Sequence, residues 1–80
     1  MEKKKFETVL ALIVPEVVRL IVEKHQIGEV DATKSFYASK VYETLEDEDT
    51  KLWHLSPLTL FHMYDEEKRT GKITFPEEQA

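Results

Sequence analysis

Apolar residues recur every three or four positions near the start of the chain. Phe6, Leu10, Ile13, Val17 and Ile21, with Leu20 beside them, form one helical stripe. Val14, Val18 and Val22 extend it to a second face, and 11 of the 14 residues from Val9 to Val22 are apolar. A helix that apolar is central, or it is covered on two sides. The pattern predicts it over about residues 4–25. Pro15 leaves two readings open. Inside a helix it removes a hydrogen bond and crowds the preceding turn, at a cost of about 3 kcal/mol; at a first turn it costs little. The segment is thus one kinked helix or two elements meeting at Val14-Pro15, and Thr8 to Val14 also reads as a short buried strand. The helix is preferred, because the strand makes no use of Phe6.

Gln26-Ile27-Gly28 ends this segment, and Gly28 is expected to take the left-handed conformation that closes a helix. Glu29 and Asp31 then sit where a helix dipole favours acids. The second helix is predicted to run to about Leu45, with Val30, Thr33, Tyr37, Val41 and Leu45 on one face and Phe36 beside them. The acids Glu46 to Asp49 oppose a helix C-terminus, so a loop should follow. Residues 50–55 read as extended.

Ser56-Pro57 is the clearest local signal: a favoured N-cap followed by a favoured first helical residue. The third helix is predicted over about residues 57–70, with Leu58, Leu60, Phe61, Met63 and Tyr64 apolar, Lys68 and Arg69 in the last turn and Gly71 at its end. Lys72 to Phe75 alternates polar and apolar, so a two-stranded ribbon of Lys51–His54 with Lys72–Phe75 stays open. Residues 76–80 read as a frayed tail. The expected fold is all-α or nearly all-α: one domain, residues 1–80, of three main helices around a central first helix.

Composition narrows the setting. The chain contains no cysteine, which excludes disulfides and thiolate metal sites and fits a reducing, cytoplasmic compartment. Its formal net charge of −5 works against non-specific binding to nucleic acid or anionic membrane. Lys3-Lys4-Lys5 before an apolar run mimics a signal peptide, but Pro15, Glu16 and Arg19 interrupt the run and no small-residue cleavage site follows. The same charges argue against a membrane span.

The stretches Lys51-Leu52-Trp53-His54-Leu55-Ser56-Pro57 and Thr70-Gly71-Lys72-Ile73-Thr74-Phe75-Pro76-Glu77 resemble segments of small uncharacterised bacterial proteins. The resemblance implies a bacterial, cytoplasmic origin and transfers no activity, cofactor or site residue.

Candidate chemistry is sparse. His62 and Glu66 share a helix face at i, i+4, a spacing that can hold a metal, but His25 or His54 would have to converge on them. A solvated pair is the simpler reading. The acids Glu43, Glu46, Asp47, Glu48 and Asp49 lack the glycine and the spaced final Glu of a calcium loop, so this acidic patch reads as a solvated turn, with a basic patch on a partner as the next reading. Ser35, Ser39 and Ser56 have no nucleophile-elbow context, and a short helical chain has little room for a substrate cavity. No enzyme, metal or cofactor is expected.

Two helices joined at Gly28 resemble a helix-turn-helix in outline, with Thr33, Lys34, Ser35 and Lys40 as reading residues, but a reading helix sits in a basic footprint. That nucleic-acid-binding regulator is the alternative. The favoured expectation is a non-enzymatic protein–protein interaction module that forms a homodimer. Its interface candidates are Phe6, Leu10, Val14, Val18, Val22 and Trp53, because so apolar a first helix asks for cover beyond a small fold.

Overall fold

Helix α1 (Lys3–His25) runs through Pro15 as a single helix in the computed structural model, which describes residues 2–73. The strand and two-element readings of the first segment do not hold. Pro15 offers no N–H to the Ala11 carbonyl, yet both residues lie on the exposed side, where solvent reaches that carbonyl. Glu16 and Arg19 also lie outward, and Arg19 pairs with Glu16 at 2.9 Å and Glu23 at 3.0 Å. The inward face is Phe6, Ile13, Val17, Val18 and Ile21.

The helix closes at Gln26, not at Gly28. Gln26 adopts the left-handed conformation (φ 56°), and its N–H donates to the Val22 carbonyl. Gly28 is extended and caps the next helix; a Cβ added there would meet nothing within 4 Å, so the position does not demand glycine.

The predicted second helix is two. Helix α2 (Glu29–Tyr37) stops at Ala38, and α3 (Lys40–Leu45) starts afresh after Ser39. Ser39 is buried at the joint; its Oγ donates to the Phe36 carbonyl at 2.6 Å and accepts from the Tyr42 N–H at 3.1 Å. A second cap comes from outside. The Glu67 carboxylate accepts from the Lys40 N–H at 3.0 and 3.1 Å and from the Val41 N–H at 3.3 Å. Three backbone donors that a helix start leaves unpaired are thus answered, two of them by a negative charge at the positive end of the dipole. The break re-phases the buried face to Ala32, Phe36, Val41 and Leu45, while Val30 and Tyr37, predicted inward, are more than half exposed.

Residues 48–54 form two 3-10 turns, Glu48–Thr50 and Leu52–His54, in place of an extended strand. Lys51 between them is left-handed (φ 62°), Trp53 Nε1 donates to the Glu48 carbonyl at 3.0 Å, and Thr50 Oγ1 donates to the Thr44 carbonyl at 2.7 Å. The His54 N–H donates to the Lys51 carbonyl at 3.3 Å and the Leu55 N–H to the Leu52 carbonyl at 3.0 Å, which uses backbone groups a ribbon would need, and no strand occurs among the described residues. The ribbon's Thr74 and Phe75, and the 76–80 tail, lie outside them.

Helix α4 (Pro57–Thr70) follows its signals. Ser56 caps it by accepting from the Thr59 N–H, and left-handed Gly71 closes it. With α4 the fold is all-α among the described residues, with four α-helices there where three were expected. Helix α1 packs against α2 and α4, and α4 also takes α3. Val17, Ile21, Ala32, Phe36, Val41, Leu45, Leu60 and Tyr64 are the sealed centre.

Polar ties hold α4 to the other helices. Tyr64 and Ser35 share a hydroxyl hydrogen bond of 2.5 Å. His25 Nε2 meets Asp65 Oδ1 at 3.0 Å, and Arg69 Nε donates to Asp65 Oδ2 at 3.1 Å. The hydrogen bond from His25, then that from Arg69, holds the Asp65 carboxyl below its ordinary 3.8. A carboxyl depressed by folding stabilises the fold above the unfolded value and loses that contribution as pH falls toward the folded one.

Two outcomes are expected. Ser39→Ala and Glu67→Ala should each cost about 1 kcal/mol in urea unfolding, and the pair more than the sum, because both cap one short helix; an unchanged midpoint for Glu67→Ala would reduce that carboxylate to solvated surface. Asp65→Asn should lower stability near neutral pH and leave a shallower loss of stability below about pH 4 than the parent shows, as unfolding midpoints across acid pH would report.

Candidate functional site

On an unbroken helix residues 37 and 42 would stand about 140° apart, at 100° per residue, and could not touch. The joint at Ser39 brings them together: the Tyr37 and Tyr42 rings lie 4.7 Å apart, centroid to centroid, tilted by 53°. Phe36 supports both from beneath, at 6.5 Å from Tyr37 and 5.6 Å from Tyr42. The aromatic pair is a product of the break.

Two shallow depressions meet at this pair. One, about 300 Å³, is lined by Leu10, Ala11, Val14 and Pro15 of α1, with Glu7 at its end. The other, about 290 Å³, is lined by Ala38, Ser39, Lys40, Glu43 and Glu46. Both border Tyr37 and Tyr42, so they adjoin at the aromatic pair; together they make a groove, mainly apolar on the α1 side and acidic on the α3 side. Each is at or below the small limit of ligand pockets, large enough for single side chains. A more open depression of about 600 Å³ runs along Glu2, Lys4, Lys5, Thr8 and Val9. Among the described residues a single helix face lines it, so no polar groups converge there from two elements.

Tyr42 is half-buried and its hydroxyl is held above the ordinary 10.0. Loss of solvent is the first cause; the Glu46 carboxylate and the neighbouring Tyr37 add to it, since both disfavour a phenolate. The acidic end therefore acts on the aromatic pair directly.

The groove draws on both candidate sets. Of the apolar set, Leu10 and Val14 line it. Phe6 and Val18 are buried in their own chain, while Val22 and Trp53 pack against the core. Of the acidic set, Glu43 and Glu46 reach it. Asp47 instead accepts from the Asp49 N–H and caps a 3-10 turn, and Asp49 is exposed beyond it. Glu48 is half-buried. Tyr37, Tyr42, Pro15 and Glu7 were not anticipated. Tyrosines are typical interface anchors, and Ser39, a good N-cap inside a helical pattern, is the sequence signal for the break that brings Tyr37 and Tyr42 together.

The other candidates disperse. Thr33 Oγ1 donates back to the Glu29 carbonyl, Ser35 is engaged by Tyr64, and Lys40 belongs to α3. The exposed charges of α2 are Glu29, Asp31 and Lys34, which make no basic footprint. His62 is exposed, His25 is held by Asp65, and no group of three His, Asp or Glu residues is placed to hold a metal among the described residues. No helix among the described residues is long and apolar enough to cross a membrane.

Comparison with protein families, curated proteins and solved structures finds no match to this chain.

Glu46→Gln should lower the Tyr42 titration towards the ordinary value without reaching it, because burial remains. The Tyr42 ring carbon signal followed by NMR through alkaline pH checks this; an unshifted curve would separate Glu46 from the site.

Proposed function

We propose that this chain is a non-enzymatic interaction module that docks a segment of another protein along the Tyr37–Tyr42 groove. One observation carries the reading: an aromatic pair, half or more exposed at Tyr37, is flanked by apolar side chains on one side and carboxylates on the other. Tyrosines that combine an apolar body with a polar tip are common anchors of protein interfaces. The cysteine-free composition supports a cytoplasmic setting, and the resemblance of residues 51–57 and 70–77 to bacterial segments supports a bacterial one.

A second copy of the chain is the other occupant to weigh. The motive for an obligatory dimer was an uncovered first helix. Of the apolar residues from Val9 to Val22, only Ala11 and Leu12 are exposed, so that motive is weak. Leu12, 70% exposed, still favours some association of this face.

A photo-crosslinking residue in place of Tyr37 tests the reading in cells, against the same probe at Leu58, which is also half exposed but on α4. Adducts to another protein are expected at position 37 alone, and Leu10→Asp should remove them while the circular dichroism stays helical. Adducts of twice the chain's own mass would make the partner a second copy. Equal labelling at both positions, or none at 37, would overturn the proposal.

A further inference from the structure

Resting on that reading, we infer that the groove takes a cationic amphipathic segment of another protein, with an apolar side chain against Leu10, Val14 and Pro15 and an arginine or lysine between Tyr42 and the Glu43–Glu46 edge.

The two ends of the groove ask for different side chains. The α1 end exposes aliphatic carbon from Leu10, Ala11 and Val14 and the Pro15 ring, and satisfies no polar group a partner could bring, apart from Glu7 at its margin. The α3 end carries Glu43 and Glu46, both exposed, and Lys40. Three carboxylates against one ammonium line the groove as a whole, and the chain runs on from Glu46 through Asp47, Glu48 and Asp49. Between the ends lie two tyrosine rings, whose negative faces attract a cation. Arginine suits this place best: its planar guanidinium stacks on an aromatic ring while its donors reach a carboxylate.

Charge also decides among occupants. A second copy docked groove to groove brings the same acids and a formal net charge of −5, so that arrangement would set carboxylates against carboxylates. Phosphate-bearing surfaces are repelled for the same reason. The volumes, about 300 and 290 Å³, admit one side chain each. Residues three or four apart on a helix share a face, so one turn of a partner helix presents one anchor and one cation.

A displayed library of random peptides, selected on the whole chain at low salt and sorted by loss of binding to Tyr37→Ala, tests the partner's chemistry. Groove-dependent peptides should be enriched in arginine or lysine three or four positions from leucine, isoleucine or phenylalanine. A representative peptide should bind Glu43→Lys/Glu46→Lys about tenfold more weakly, weaken likewise at high salt, and keep its affinity for Glu29→Lys. Circular dichroism of each variant keeps folding apart from binding. Groove-dependent peptides that are neutral or acidic and indifferent to the charge reversal would overturn the cationic partner and leave the docking groove standing. An equal effect of Glu29→Lys would reduce the attraction to net charge and overturn the inference as well. An absence of any Tyr37-dependent peptide would overturn both.

Discussion

A carboxylate from the last helix holds open the site that the second and third helices build. Glu67 of α4 accepts from two backbone N–H groups at the start of α3, and Ser39 accepts from a third. Without these partners the start of α3 would expose several orphan donors, and a continuous helix from α2 would satisfy them at once. The caps tip that balance. They make a break stable, and the break turns Tyr42 toward Tyr37. Fold and groove thus share one cause, a charge-assisted hydrogen bond between elements 26 and 27 residues apart.

The first helix shows how a small chain meets its covering problem. Eighty residues bury a modest share of their surface, and each large apolar side chain left in water forgoes about 1.5–3 kcal/mol. Helix α1 answers by packing α2 along one side and α4 along another, leaving Leu10 and Val14 half covered and Leu12 in solvent. The half-covered strip beside Pro15 is where the groove lies, while Leu12 stands outside it. The core side chains are buried within the chain itself, and the groove lies outside that core.

The remaining polar side chains are used for fastening. Ser35 and Tyr64, with His25, Asp65 and Arg69, tie α4 to α2 and α1, and no fully buried side-chain N or O is left without a partner among the described residues. Groups consumed in this way are poor candidates for chemistry, and they include two that the sequence offered, Ser35 and His25. Among the described residues the exposed acids Glu43 and Glu46 are held by no such tie, and they stand beside the aromatic pair.

By itself the sequence determined whatever depends on neighbours a turn apart: α1 from its three-and-four spacing, α4 from Ser56-Pro57 and Gly71, the loop after the acidic run, and the acidic surface. These signals are local, and each carries its own hydrogen-bond or burial logic. The tertiary structure alone decided the break at Ala38-Ser39, the 3-10 turns around Trp53 and the left-handed Gln26. A helical pattern continues through Ser39, and the arrival of Glu67, added to Ser39's own cap, supports the stop there. The groove belongs to the same class. Leu10, Val14, Glu43 and Glu46 could each be picked out along the chain, but their meeting at Tyr37 and Tyr42 requires a turn that a residue on another helix enforces.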